Sequence, residues 1–343
     1  MSHPDPTPTP SRSEEIVQGQ KELIFPCVGH LYKEPVVMVR GEGVKVWDAD
    51  GREYLDFFSG ILSTSVGHCH PRLVSAISDQ TRRLGHTSTL YVTEPQILAA
   101  RRLTEITPGN LNRCFFSNSG TEAVETAINL ACIHTGRSEV IALRAGYHGR
   151  STMATNLTGL SSWRPLPSSL PNIKHAVAPY PYRCRFDADC ENECADKCAQ
   201  DLEEVILSTT NGRPAAFLAE TIQGAGGYVV PPPGYHQRVA EIIRDYGGLL
   251  IIDEVQAGFG RTGKWFGIEH WDVEPDIMIM AKGIAGGMPV GATVTTDEIA
   301  SSWTSKTIST FGGNPICMAA MAETLAIMKD EDVPGRAVTD RKS

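Results

Sequence analysis

The stretch Leu249-Leu250-Ile251-Ile252-Asp253-Glu254-Val255-Gln256-Ala257-Gly258-Phe259-Gly260-Arg261-Thr262-Gly263 reads as a buried strand that ends on two carboxylates and then breaks into a glycine-rich turn. An unbroken apolar run of this length, without polar alternation, is what a strand covered on both faces requires. Asp253 is therefore expected at the carboxyl end of a buried sheet. Further along, Ile277-Met278-Ile279-Met280-Ala281-Lys282-Gly283 repeats the pattern with a lysine in the strand-end position. The spacing from Asp253 to Lys282 is one βαβ step or a long crossover, which brings both side chains to one crevice. Working outward, short apolar runs at 113–116, 140–143, 215–219 and 291–294 predict further strands. Segments of helical period at 71–84, 121–134, 199–208 and 235–246 lie between them, stopped by Gly136 and by Gly247-Gly248. This alternation predicts an α/β domain whose mostly parallel sheet is flanked by helices, with functional groups at the carboxyl ends of the strands.

Three segments compete as phosphate sites. Gly258-Phe259-Gly260-Arg261-Thr262-Gly263 matches G-x-G-x-x-G after a strand, but Asp253 and Glu254 would repel a pyrophosphate and Trp265-Phe266-Gly267 does not read as a helix start. Extended to Lys264 it nearly forms a P-loop, yet Trp265 stands where a hydroxyl must hold Mg²⁺. The third, Ser117-Asn118-Ser119-Gly120-Thr121-Glu122, joins a strand directly to a helix. Free amides at that helix start, the Ser119 and Thr121 hydroxyls and the small Gly120 suit a single phosphate monoester. On its own the segment reads rather as an ordinary Ser/Thr N-cap.

The 343 residues carry 40 Asp and Glu against 31 Lys and Arg, for a net charge of −9. That balance, with no basic stripe, argues against nucleic acid. No apolar run approaches the roughly 20 residues of a spanning helix, so no membrane partner is expected. Residues 1–20 read as a flexible arm without signal-peptide features, which together with the thiols predicts a cytoplasmic protein. Residues 36–46, then Trp47-Asp48-Ala49-Asp50-Gly51-Arg52-Glu53-Tyr54, read as antiparallel strands with an Asp-Gly turn, giving a small β subdomain over 21–60.

A phosphate cradle, a buried acid and a lysine at neighbouring strand ends are what pyridoxal 5'-phosphate requires: lysine for the Schiff base, the acid for the pyridinium nitrogen, the helix start for the phosphate. Tyr147-His148-Gly149, after the strand ending at Leu143, adds an aromatic face for the ring. The chain here resembles the class III pyridoxal-phosphate-dependent aminotransferases of fold type I, nearest the alanine–glyoxylate-like branch. The segments that carry the likeness include Asp56-Phe57-Phe58-Ser59-Gly60-Ile61, Gly67-His68-Cys69-His70-Pro71, Ser117 through Ala123, Tyr147-His148-Gly149, Asp253 through Gly263, Ala281-Lys282-Gly283 and Thr310-Phe311-Gly312-Gly313-Asn314-Pro315. The resemblance implies that Lys282 forms the Schiff base and later moves the proton, while Asp253 pairs with the ring nitrogen. It further implies that Gln256 binds the ring hydroxyl, that Ser119, Gly120 and Thr121 hold the phosphate, and that Tyr147, His148 and Glu220 complete the cofactor site. Thr310 is similar to the residue that reaches the phosphate in a neighbouring subunit, which implies a homodimer.

The implied reaction moves an amino group from an amino acid or amine donor to a small 2-oxo acid such as pyruvate or glyoxylate. Lyase, decarboxylase and epimerase chemistries share the same scaffold. In the ω-amino-acid branch a glutamate shortly after Glu-Pro-Ile-Gln masks an arginine; here Glu220-Thr221-Ile222-Gln223-Gly224-Ala225 puts Ala225 at that place. By the same resemblance residues 61–325 form the cofactor domain, and 326–343 only begin a C-terminal small domain. A truncated chain with impaired substrate grip is thus expected. Cys184, Cys190, Cys194 and Cys198, within a 180–200 insertion, depart from the C-x₂-C spacing of zinc knuckles, although the last three would share a helix face. They read as a thiol-rich surface insertion ahead of a structural metal. The other five cysteines read as mostly buried, and His68 and His70 as part of a helix-entry loop with no metal.

Overall fold

The computed structural model describes residues 11–30, 32–167, 170–187, 189 and 193–342. The chain divides into two compact units, Met1–Ser59 with Gly67–His70, and Gly60–Val66 with Pro71–Ser343. In the first, helix α1 (Arg12–Leu23) starts at a capping box in which Ser11 and Glu14 satisfy each other's backbone amides. Strands β1 (Met38–Glu42), β2 (Lys45–Asp48) and β3 (Glu53–Leu55) form an antiparallel sheet. Gly43, with φ +56°, turns the chain between β1 and β2. The Asp-Gly turn between β2 and β3 is organised by buried Asp48, which accepts from the Tyr54 hydroxyl at 2.7 Å and from the Arg52 and Asp50 amides.

After the short α2 (Ser59–Leu62), the elements in chain order are α3 (Pro71–Arg83), α4 (Glu94–Thr104), β4 (Arg113–Ser117), α5 (Gly120–Thr135), β5 (Val140–Leu143), α6 (Thr152–Leu157) and β6 (Ile173–Ala176). Then follow α7 (Cys194–Thr209), β7 (Ala216–Glu220), α8 (Tyr235–Asp245), β8 (Leu249–Asp253), β9 (Ile277–Met280), β10 (Gly291–Thr295), α9 (Asp297–Ser301), α10 (Pro315–Asp330) and α11 (Val333–Lys342). The seven-stranded sheet has the order β4-β10-β9-β8-β7-β5-β6. Only β10 runs against its neighbours β4 and β9; β9, β8, β7, β5 and β6 pair in parallel.

Alternate residues of the central strands feed two separate cores, as the two-residue period of a strand demands. Phe217, Leu250, Ile252, Met278 and Met280 pack with Leu202, Val239 and Met321 from α7, α8 and α10. Leu218, Ile251, Ile277 and Ile279 point the other way, onto Ala127 and Ile128 of α5. Each large side chain buried this way is worth about 1.5–3 kcal/mol. The result is a sheet covered on both faces, whose polar groups are left for the strand ends. Among the described residues no helix is long and apolar enough to cross a membrane.

Three sequence readings are corrected. Cys194 and Cys198 are 1% exposed and belong to the main core, so they are not surface thiols; Cys190 lies outside the described residues. Of the five scattered cysteines only Cys317 is buried, while Cys27 and Cys69 are exposed. Trp265-Phe266-Gly267 does open a helical turn, a 3₁₀ segment over Gly267–Trp271, because the Glu269 carboxylate accepts the Phe266 amide at 2.6 Å.

Glu254, one residue past β8, is fully buried behind the sheet end. It accepts from the Thr221 hydroxyl at 2.6 Å and from the Gly267 and Ile268 amides at 3.0 and 2.7 Å. Burial outweighs these donors and pushes its carboxyl up to about 7 from 4.5. A carboxyl raised in the folded state favours folding most below its unfolded value, and that contribution fades as pH rises through about 7. Glu254→Gln, uncharged throughout, is expected to flatten the fall in stability between about pH 5 and pH 8 by up to about 3 kcal/mol. Thermal melts at the two pH values check this; an unchanged pH slope contradicts it.

Candidate active site

The carboxyl ends of β5, β7, β8 and β9 and the start of α5 border one cleft of about 380 Å³. Glu220 and Asp253 end adjacent strands in register, so two buried carboxyls stand side by side. Asp253 is held on both oxygens. One accepts the Val255 amide at 3.0 Å, and the other lies 2.8 Å from His148 Nδ1. His148 is itself anchored through its backbone, whose amide donates to the buried Thr158 hydroxyl at 3.0 Å. Its Nε2 is buried with no partner among the described residues. Glu220 accepts the Tyr147 and Gly224 amides, each at 2.9 Å. Burial raises its carboxyl, with His148 pulling it down and Asp253 pushing it further up.

Lys282 enters the cleft two residues beyond β9, with φ +48°, a backbone state that costs a lysine energy and is found at functional sites. Its amine donates to Gln256 Oε1 at 2.9 Å. Burial lowers the amine below the ordinary lysine value, while Asp253 and Glu220 oppose that shift and Arg261 adds to it. A larger neutral fraction of the amine makes it a better nucleophile near neutral pH.

At the opposite wall, Ser119 caps α5, its hydroxyl accepting the Glu122 amide at 3.4 Å. The N-cap reading and the cradle reading of this segment thus coexist. The amides of Gly120 and Thr121 have no hydrogen-bond partner among the described residues and lie at the positive end of a 16-residue helix. The Thr121 hydroxyl is already committed to the facing loop, 2.7 Å from Ser151 Oγ and accepting the Arg150 and Ser151 amides. Gly149 permits that closure: its φ is +128°, and a Cβ there would come within 2.5 Å of Thr121 Oγ1.

Of the residues singled out in the sequence, Ser119, Gly120, Thr121, Tyr147, His148, Glu220, Asp253, Gln256 and Lys282 all line this cleft. Thr310 does not; it is exposed, on the loop between α9 and α10. Sequence reasoning missed Ser63 and the 287–290 loop, which also border the cleft. Gly286-Gly287 and Pro289 were the local hints of a loop there. It also missed Trp163, whose ring stands edge-on to Tyr147 at 5.5 Å.

An α/β sheet with an amine, a fixed acid and a helix-start cradle at its strand ends defines a pyridoxal-phosphate enzyme of fold type I. The family model for class-III aminotransferases matches residues 29–342, and the chain belongs to that family. It is 40% identical to alanine–glyoxylate aminotransferase 2 homolog 2 of Arabidopsis thaliana, covering 97% of this chain and 69% of that protein. It is 42% identical to acetylornithine aminotransferase of Methanopyrus kandleri, over 88% of this chain and 73% of the relative. Among solved structures, an (S)-enantioselective omega-transaminase from Thermomicrobium roseum superposes with a TM-score of 0.88 at 35% identity, covering 96% of this chain and 77% of that one. The omega transaminase of Pseudomonas jessenii, solved in complex with PMP, gives 0.85 at 28% identity over 98% and 74% of the two chains. The residues present fit pyridoxal phosphate: unpartnered helix-start amides for its phosphate, an oriented carboxylate for its ring nitrogen, and a buried amine for its aldehyde.

Proposed function

We propose that this chain transfers an amino group from an amino acid or amine donor to a small 2-oxo acid, pyruvate or glyoxylate, with Lys282 as the covalent attachment point and proton carrier. The observation that carries the assignment is the Lys282 amine, desolvated and 2.9 Å from Gln256 in the cleft that also holds Asp253. Pyridoxal phosphate, when bound, supplies an electron sink for the carbon that loses its proton. The chain does the rest. Asp253, anchored by Val255 and His148, cannot turn away from the ring nitrogen it is proposed to pair with. Glu220 pins the Tyr147 backbone, so that the aromatic ring closes the cleft from above. Gln256 holds the Lys282 amine until substrate displaces it. Gly120 and Thr121 donate amides to the phosphate, with Ser119 as the cap that orients them. Residues 61–325 make up the cofactor domain in this reading, and the protein acts in the cytoplasm.

The active unit is proposed to be a homodimer in which Thr310 reaches the other subunit's cofactor. In support, Thr89 and Ser309 hydrogen-bond across two neighbouring loops that leave Leu90, Tyr91, Val92, Ile308 and Phe311 at 60–86% exposure around Thr310. So large an apolar patch is stable in water only when covered.

A donor screen tests both readings at once. Loaded protein with L-alanine or a β-amino acid and glyoxylate is expected to give one equivalent of glycine per equivalent of keto product, by a light-scattering dimer. Release of carbon dioxide or racemised donor without amino transfer would contradict the reaction, and a monomer at full activity would contradict the assembly.

A further inference from the structure

Cys184 follows a 3₁₀ turn over Pro181–Arg183, while Cys194 and Cys198 occupy the first two turns of α7. Cys194 Sγ lies 3.8 Å from Cys184 Sγ and 3.9 Å from Cys198 Sγ. A sulfur–sulfur bond is about 2.05 Å long, so these are not bonded pairs. Thiolates around a tetrahedral zinc ion at Zn–S distances of about 2.3 Å stand about 3.8 Å apart. Two edges of the described trio therefore have the length of an edge of a zinc–thiolate tetrahedron. Among the described residues no group of three or more side chains already closes on one point, so the trio is a chain of two contacts through Cys194.

A second feature points the same way. The Tyr235 hydroxyl is fully buried with no partner among the described residues. It belongs to the same buried core as Cys198. A thiolate at Cys198 would give that O–H an acceptor, the arrangement by which outer groups orient metal ligands. On the solvent side, Lys197 pairs with Glu193 at 2.8 Å.

We infer that Cys184, Cys194 and Cys198 bind a structural zinc ion that fastens the segment after β6 to the start of α7. The three thiols give up three protons on binding, and the tetrahedron takes one further donor. Zinc is the divalent ion whose softness and geometry match thiolates at this spacing. The site is separate from the cofactor cleft, none of whose lining residues it shares.

The test is metal analysis of the purified chain, incubated with zinc under reducing conditions and dialysed. About one zinc per chain is expected, released in step with titration by a thiol-specific mercurial, and cobalt exchanged into the site should give a thiolate-to-metal charge-transfer band. Cys184→Ala, at the half-buried position, is expected to drop zinc content at least about fivefold while the bound cofactor's visible absorbance persists as evidence of folding. Cys194→Ala should do the same or fail to fold, in which case the Cys184 variant decides. Zinc below about 0.1 per chain in the wild type, zinc retained by Cys184→Ala, or an intact mass two hydrogens light with no metal would each overturn the site.

Discussion

Lys282→Ala is expected to lower kcat/KM by about 10⁴-fold or more and to abolish the visible absorbance of bound cofactor. In the proposed function the substitution removes both the nucleophile for the cofactor and the base for the proton, and among the described residues no other lysine lines the cleft. Lys282→Arg should fail almost as completely, because a guanidinium neither attacks an aldehyde nor gives up a proton near neutral pH. Stability behaves differently. The folded state holds this amine desolvated and at a positive φ, so alanine should leave the melting temperature of the cofactor-free protein unchanged or raise it. A variant that is inactive because it is unfolded is thereby told apart from one that is inactive because it lacks the amine. Steady-state kinetics within tenfold of wild type would contradict the role given to Lys282.

Asp253→Asn should cost about 10³-fold in kcat with a smaller change in KM. The amide fills the same space and can still accept the Val255 N–H, so the geometry at the end of β8 is kept. What is lost is the carboxylate proposed to pair with the cofactor's ring nitrogen, on which the electron sink would depend. His148 is also affected, since its Nδ1 then faces a neutral group at the position now 2.8 Å away. His148→Ala should therefore reproduce part of the loss, through misorientation of Asp253. An Asp253→Asn enzyme whose kcat falls less than threefold would remove the electron-sink argument.

Much of this site was legible because its parts sit where strands stop. The run Leu249-Leu250-Ile251-Ile252 has to be buried on both faces, so the first polar residue after it, Asp253, has to be at the carboxyl end of the strand; the same logic placed Lys282. The direction of a strand leaves no such mark. Gly291-Ala292-Thr293-Val294-Thr295 reads like its parallel neighbours, and its antiparallel course comes from the short loop after β9 that returns the chain beside it. Strand β6 was missed because Lys174 and His175 interrupt its apolar pattern; it is an edge strand, and only Ile173 and Ala176 are buried. Helix α4 was missed since Arg101, Arg102 and Pro95 mask an apolar face of which Ala99 and Leu103 are the fully buried part. At the site itself, the resemblance carried by Tyr147-His148-Gly149 offered His148 as a cofactor contact, whereas its hydrogen bond to Asp253 spans 105 residues of sequence. The cysteines misled for the opposite reason. Their neighbours are polar, yet α7 turns Cys194 and Cys198 onto the core.

The most direct test of the central claim is to load the chain with pyridoxal phosphate, reduce it with borohydride to make the linkage permanent, and map the modified peptide by mass spectrometry. The account predicts the pyridoxyl-phosphate mass on Lys282 and nowhere else. Modification of a different lysine, or no modification at saturating cofactor, would contradict it.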